Sequence, residues 1–581
     1  MKKCKNICYI FAKNFFRIGI RKRKTTRGKG VKCMKKRKQA LAFLLAGCMA
    51  FGMTGCMTKG EDKSANKKGE TQKKVEAPEG PLDKYSETVK ISTVLPENAG
   101  IQWQEGDSYD DNPWYRAYKE RLNIEVENDW VSNDYSTKLN LTIADGNLPD
   151  VFCVNGQQLQ QLIEADLIWD MTESFNKYAS DTLKGYMESE SDTYETGKKD
   201  GKLYGIPQLT YGIIDQPYQV WVRQDWANQA GLKDIKTVKD MEELGKKFIA
   251  QGSKYAFTED QSLDCMFAMA PAWGAHPGIW VEGESGDLEY GSVQPQMKDV
   301  LTTYAQWYKD GLLNTEFTTT DMDKMFQGFI NGEVGIMPYA QWVGYNPGPD
   351  VISNLGAEAV MDAYAIPSAN GEEVKSSIKY SNLGYIVVSK KCQNPEAAVK
   401  LLNFYSYMMD EAQGKEDTKF IDSLFNNAYT NIPYALRVIN PMTDYNQFEK
   451  VTSYLEKYQN GEEVDAAELG KDAVKYEHCV QWLQEQAPEA VGDWLQQGSP
   501  KSAYRISKEV IDNEQYIKDA YWGQQVETLL NSGSTLDDIL KEGFTKIIVG
   551  EEPIEYFDTL VENWKSAGGE KATEEVNELC K

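Results

Sequence analysis

The sequence predicts an α/β fold, and three neighbouring stretches carry that expectation. Val89-Lys90-Ile91-Ser92-Thr93-Val94-Leu95 alternates and is rich in β-branched side chains, the period-two pattern of a strand. A helix around Trp114 to Leu122 leads to a second strand, Asn123-Ile124-Glu125-Val126-Glu127. Tyr135 to Ala144 then reads as a helix stopped by Asp145-Gly146 and Pro149, before the short buried strand Val151-Phe152-Cys153-Val154. Strands alternating with helices imply a largely parallel sheet covered on both faces.

Further along, Met297, Val300, Leu301, Tyr304, Trp307 and Tyr308 recur at helical spacing in a helix from Met297 to Leu312, with Gly311 near its end as a C-cap. Gly384 to Ser389 reads as a strand. Asn394-Pro395-Glu396 opens the next helix, with Asn as N-cap and Pro at the first helical position. Phe557, Leu560, Val561 and Trp564 make another apolar stripe before Gly568-Gly569. These stripes are expected in the core. No internal repeat is found.

The two ends of the chain differ in charge. The first 55 residues hold 16 Lys or Arg and no Asp or Glu, although the whole chain has a formal net charge of -24. Lys35-Lys36-Arg37-Lys38 precedes an apolar run from Gln39 to Met53, shorter than the roughly 20 residues of a membrane span and typical of a secretory signal. The run ends at Met53-Thr54-Gly55-Cys56, which resembles the bacterial lipobox, whose cysteine receives the lipid. Leu45-Ala46-Gly47-Cys48 matches that motif better letter by letter but leaves an apolar run of only about seven residues. Cys56 is therefore the expected lipidation site. A second basic and apolar stretch precedes Met34, so Met34 is the expected start, with a long n-region from Met1 as the other reading. Thr58 to Gly80 has almost no large apolar residue and is expected to be a flexible tether.

Roughly 500 residues follow the tether, enough for two lobes with their own cores. Their acidity disfavours nucleic acid, which needs clustered Lys and Arg. No later apolar stretch approaches a membrane span, so this body is expected to be soluble. The chain holds two histidines, His276 and His478, in no local motif, and no Walker loop, dinucleotide fingerprint or EF-hand spacing. No cofactor is implied. Cys153, Cys265, Cys392, Cys479 and Cys580 are odd in number and irregular in spacing, which argues against a disulfide framework or zinc cluster. They are expected to be small buried hydrophobes.

Several segments resemble family 1 extracellular solute-binding proteins, in particular their long Gram-positive lipoprotein subgroup. Asp145-Gly146-Asn147-Leu148-Pro149-Asp150-Val151-Phe152 is similar to the family's entry into a strand, and Asp200-Gly201-Lys202-Leu203-Tyr204-Gly205-Ile206-Pro207 to its Asp-Gly-Lys signature. Trp221 to Trp226 with Ala230-Gly231-Leu232, Asp310 to Phe317, Phe326 to Met337, and Lys546 through Trp564 follow in family order. The resemblance implies a two-lobed type II periplasmic-binding-protein fold with the ligand in a cleft between lobes, which close on it as a hinge. It implies a signal peptide over 1–55 and a lipidated cysteine and tether over 56–85. The first lobe would be 86–210 plus about 365–460; the second would be 211–364 plus about 461–581, including C-terminal helices. Gly205-Ile206-Pro207 and Tyr364-Ala365-Ile366-Pro367 are the candidate crossings. The expected function is capture of a carbohydrate at the outer membrane face by a lipid-anchored monomer, and delivery to ABC permease transmembrane subunits. An extracellular glycoside hydrolase, needing two carboxylates, and a binder of peptides or other polar solutes are the alternatives.

Sugars present hydroxyl groups and apolar C–H faces, so a binder needs carboxylates or amides together with Trp or Tyr rings. In open α/β sheets ligands sit beyond the carboxyl ends of strands. Candidates on that rule are Glu97 and Asn98 after the first strand, Asn155 and Gln157 after the strand ending at Val154, and Tyr339 and Trp342 after the strand ending at Met337; Asp150, after Pro149, is a further candidate, with turn capping as its other reading. Trp273 and Trp280 flank a Gly- and Pro-containing loop; Tyr218, Tyr380, Ser381 and Asn382 complete the set. Arg223 and Asp225 are expected to form a structural pair. An N-terminal mass measurement on palmitate-labelled protein is expected to return lipidated Cys56; an intact Met1 would contradict the signal assignment.

Overall fold

The computed structural model describes residues 74–580 apart from 232–233, 284, 381, 413–419, 421–423, 425–428 and 522–525. The signal, Cys56 and most of the tether lie outside the described residues. The end of the expected tether is docked rather than free. Val75 and Tyr85 are buried in a core cluster, and Asn394 holds the Val75 backbone from both sides, accepting its N–H at 3.1 Å and donating to its carbonyl at 2.6 Å. Asn394 therefore does not cap the helix Glu396–Ser406 as expected; its side chain is spent on pinning this segment.

The strands begin with β1 (Val89–Pro96) and β2 (Ile124–Ser132), a parallel pair linked by the helix Pro113–Leu122. Asn112 caps that helix by accepting the Tyr115 N–H, Pro113 opens it, and Asn123 closes it in the left-handed region, so the second strand starts one residue later than expected and runs on to Ser132. Next come β3 (Val151–Val154), the hairpin of β4 (Lys198–Lys199) and β5 (Lys202–Leu203), β6 (Ile206–Leu209) and β7 (Gln219–Arg223). They are followed by the hairpin of β8 (Trp280–Glu282) and β9 (Leu288–Tyr290), then β10 (Ile336–Tyr339), β11 (Met361–Tyr364), β12 (Ser376–Ile378), β13 (Asn382–Val388) and β14 (Tyr516–Lys518).

Two three-stranded sheets organise these elements, in the orders β3-β13-β6 and β10-β7-β11. In each the central strand is antiparallel to both neighbours, so the expected largely parallel sheet is replaced by mixed pairing; β1–β2 and β12–β14 are parallel. The reason is directional: β6 leaves its sheet for the other body while β13 returns from that body, so the two must pass in opposite senses. The apolar residues separate in the same way. Trp114, Val151, Ile206, Ile386 and Leu401 belong to one core, whereas Val220, Phe248, Trp307, Ile336 and Phe544 belong to another. Met297–Lys309 forms as expected, with Gly311 left-handed just beyond it. Phe557, Leu560 and Trp564 bury themselves in the second core. The helix Thr443–Gln459 packs on the helices Ala473–Glu485 and Ala503–Asp512 rather than on the first sheet.

Cys153, Cys265, Cys392 and Cys479 are free and buried, as expected, while Cys580 is free and exposed because it ends the last helix. Among the described residues no helix is long and apolar enough to cross a membrane.

By core membership the chain passes from the first body to the second between Leu209 and Val220, returns between Ile366 and Ile386, and leaves the first body again after Val438. The two expected crossing motifs lie just short of these points. Ile206 and Pro207 are still in β6, and after Tyr364 the backbone of Ser368 and Ala369 bonds Lys236 and Ala272 in the second body. Gly212 has φ +83°, and a β-carbon there would stand 2.2 Å from the Pro441 carbonyl oxygen, so two crossings touch at a glycine.

Beside this contact Asp215 and Asp444 are buried together. Tyr504 donates to Asp444 Oδ2 at 3.0 Å, and Asp215 Oδ1 has no partner. Burial pushes both carboxyls above the usual carboxylate range; the Asp444 charge raises Asp215 further, while Lys475 and Lys471 oppose the shift at Asp444. A raised folded-state value means the pair stabilises the fold fully in acid and loses that contribution as pH rises above the ordinary carboxylate range. Asp215→Asn is thus expected to gain on the order of 1 kcal/mol of stability near pH 8 and almost nothing near pH 4. Thermal melts at the two pH values check this, and a loss near pH 8 would contradict it.

Candidate ligand-binding site

The carboxyl end of β3 delivers Asn155 to the boundary between the bodies. Asn155 starts the helix Gly156–Glu164 in a capping box, accepting the Gln158 N–H at 2.9 Å while Gln158 accepts the Asn155 N–H at 3.0 Å. Its Oδ1 is thereby fixed and its Nδ2 left for a ligand. Next to it β13 begins, where Asn382 accepts the Gly384 N–H at 2.9 Å. Gly384, at φ +151°, runs so close to β3 that a β-carbon would lie 2.8 Å from both Cys153 Sγ and the Val154 carbonyl. Tyr385 then donates to Thr196 Oγ1 at 2.7 Å, and Thr193 stands one helical turn away.

The second body supplies rings and carboxylates. Trp280 and Tyr290 are cross-strand partners in the β8–β9 hairpin, with ring centroids 5.3 Å apart. Tyr290 stacks on Trp564 at 5.7 Å and 9°, and Tyr521 meets Trp280 edge-on at 5.9 Å. Asp519, just past β14, accepts the Trp280 and Tyr521 backbone N–H groups through one oxygen, at 3.0 and 3.1 Å, which ties hairpin and strand together. Burial pushes Asp519 up to about 6, against these two hydrogen bonds and the charge of Lys379. Asp537, on the helix Glu527–Ile548, accepts the Tyr290 hydroxyl at 3.2 Å and is also raised by burial, with Lys379 opposing.

These groups enclose a cavity of about 550 Å³ open to solvent, within the range of small-molecule sites. Rings that can cover C–H faces stand opposite amide and carboxylate groups that can pair with hydroxyls, the combination a polyhydroxylated ligand requires. His276 is not part of it: its Nδ1 lies 3.0 Å from Ser377 Oγ, and burial lowers the imidazole to about 4, so it stays neutral. His478 pairs instead with Asp493 at 2.6 Å. No cluster of three or more metal-ligating side chains occurs among the described residues.

Of the residues singled out from sequence, the cavity brings together Asn155, Trp280, Tyr380 and Asn382. Gln157 lines a separate depression with Glu527 and Glu575, at the outer side of the same helix. The others are elsewhere. Glu97 and Asn98 are held in a turn by backbone bonds to Ser132 and the Tyr109 hydroxyl. Asp150 and Ser92 clamp two strands through reciprocal bonds of 2.9 and 3.0 Å. Trp273 packs on the second core, and Tyr218 flanks that core beside a shallow groove with Ile366. Tyr339 and Trp342 form an edge-to-face cluster with Phe326, centroids 5.5 to 5.7 Å apart. Arg223 and Asp225 do form the expected pair, at 2.6 Å. Ser381 is outside the described residues.

Sequence reasoning missed Thr193, Thr196, Tyr290, Tyr385, Asp519, Tyr521 and Asp537. It placed Trp564 in the core alone, whereas that ring serves both core and cavity. The one available signal was the aromatic and acidic run from Tyr516 to Tyr521, which no strand-end rule selected.

Known proteins resemble this chain over most of its length. A family model for bacterial extracellular solute-binding proteins matches residues 101–406, more than half of the chain. Lipoprotein LipO of Bacillus subtilis is 22% identical over 503 residues, spanning 81% of this chain and 89% of the relative. The polygalacturonan/rhamnogalacturonan-binding protein YtcQ of the same organism is 22% identical over 501 residues, with the same 81% and 89% coverage. Among solved structures, an HMO-binding, ABC-transporter-associated solute-binding protein from Bifidobacterium longum infantis superposes with a TM-score of 0.61 at 13% identity, covering 85% of this chain and 98% of that one. The S. pneumoniae substrate-binding protein FusA with kestose gives 0.54 at 13%, covering 84% and 98%. The structural likeness shows a two-lobed type II periplasmic-binding-protein fold, and with the family match over residues 101–406, the chain belongs to the bacterial extracellular solute-binding protein family.

Proposed function

We propose that this protein is a lipid-anchored receptor that captures an oligosaccharide outside the cell and passes it, unaltered, to the transmembrane subunits of an ABC permease. The observation that carries the reading is the grouping of Trp280, Tyr290 and Trp564 on one side of the cleft with Asn155 and Asn382 on the other. Relatives named for polygalacturonan, HMO and kestose support a carbohydrate. Two lobes joined by three crossings suit hinge closure, which would bring the two sets of groups onto one ligand. Lipidation at Cys56 would hold a monomeric receptor near its permease and raise its local concentration there.

A carrier without chemistry fits the way the carboxylates are used. One Asp519 oxygen is committed to two backbone N–H groups and Asp537 accepts from Tyr290, so both serve to position rings. A hydrolase would instead need an acid and a nucleophile or base facing each other across a glycosidic bond.

A thermal-shift panel of oligosaccharides and peptides tests the ligand class, since a ligand bound only by the folded state raises apparent stability. Oligosaccharides are expected to raise the melting temperature; a shift with peptides alone would overturn the reading. By calorimetry Trp280→Ala is expected to weaken binding by about tenfold or more, ~1.4 kcal/mol, while Trp342→Ala leaves it unchanged. Sugar recovered intact after incubation supports the carrier, and turnover would contradict it.

A further inference from the structure

The cavity has a sign. Among the described residues lining it there are two aspartates, Asp519 and Asp537, and no Lys or Arg. Lys379 is exposed at the rim rather than part of the lining: its Nζ is 3.5 Å from where a β-carbon on the lining residue Gly278 would be, and its charge is spent on the two carboxylates, whose ionised forms it favours. A little further along the crossing, Glu190 and Asp192 join Asp519 in acting on the Tyr380 hydroxyl, and Lys518 is already paired with Asp192 at 3.4 Å. The cations near the cleft are thus matched or outnumbered by carboxylates.

Resting on the carbohydrate reading above, we infer that the cleft selects uncharged glycans and rejects uronic-acid oligomers, with Asp519 and Asp537 as the specificity-determining residues. Two physical reasons support this. Asp519 commits one oxygen to backbone donors, which leaves the other as an acceptor for a sugar hydroxyl in a half-dry site. A ligand carboxylate placed there would face like charges among low-dielectric walls lined by six aromatic residues, with no Arg fork to receive it. Discrimination of this kind comes from the repulsive element as much as from the attractive one.

The experiment is calorimetry of the full chain near neutral pH. Neutral di- to tetrasaccharides of glucose, galactose, mannose and xylose are titrated beside galacturonate and glucuronate oligomers of the same lengths. The expected result is saturable binding of at least one neutral series, with every uronate at least about tenfold weaker. Asp519→Asn and Asp537→Asn, singly and together, are expected to narrow that gap, chiefly by improving uronate binding; single variants that keep the wild-type melting temperature make the comparison valid. Uronates binding as tightly as the neutral series, with the binding lost in Lys379→Met, would overturn the inference while leaving the carbohydrate reading intact. Saturable binding of neither class would overturn both.

Discussion

Each body of this protein buries its own apolar residues, and neither core continues across the boundary between them. That constraint shapes the rest of the molecule. The cleft persists because no side chain of one core is available to fill the other, and the chain can join the bodies only through short crossings. Those crossings must lie close together, which is why Gly212 meets Pro441 where no side chain would fit. The same geometry forces Asp215 and Asp444 into one buried site, at a cost that their raised protonation partly relieves.

The strand directions follow from the crossings as well. A chain that leaves a sheet through β6 and returns through β13 sets these strands antiparallel and aims β3 and β6 at the boundary together. Asn155 reaches the cleft because it ends β3, and Asn382 because it begins β13. On the other side, Asp519 ties the β8–β9 hairpin to β14, so Trp280, Tyr290 and Tyr521 hold fixed relations before any ligand arrives. A ring set that is already ordered loses little side-chain freedom on binding.

Much of the fold was legible in the sequence because it rests on local patterns. Val89–Leu95, Val151–Val154 and the stripe from Met297 declare themselves by period, and the ordered family-like segments implied the two lobes. The sheet pairing was not legible, because alternation of strands and helices says nothing about which strand returns from the other lobe. The site was half legible. Asn155, named by the strand-end rule, and Trp280, named by loop composition, both line the cavity, since both readings follow from nearby residues. Glu97, Asn98, Asp150, Tyr339 and Trp342 lie away from that cavity, in a turn, in a clamp between strands or in a packed aromatic cluster. Asp519, Asp537 and Trp564 lie more than 200 positions beyond Trp280; Asp519 joins the site through the pairing of β14 with β12, and Asp537 and Trp564 through packing of the C-terminal helices. Asn394 shows the same limit in a single residue: its local pattern matched an N-cap, yet a partner 319 positions away claimed its side chain.

The most direct measurement is a crystal structure of the chain with the oligosaccharide that most raises its melting temperature. The expected result is sugar rings against Trp280, Tyr290 and Trp564, with hydroxyls reaching Asn155 and the free Asp519 oxygen. Sugar seated instead on the Tyr218, Tyr339 and Trp342 side of the second lobe, with the cavity beside Trp280 unfilled, would contradict the assignment of the site.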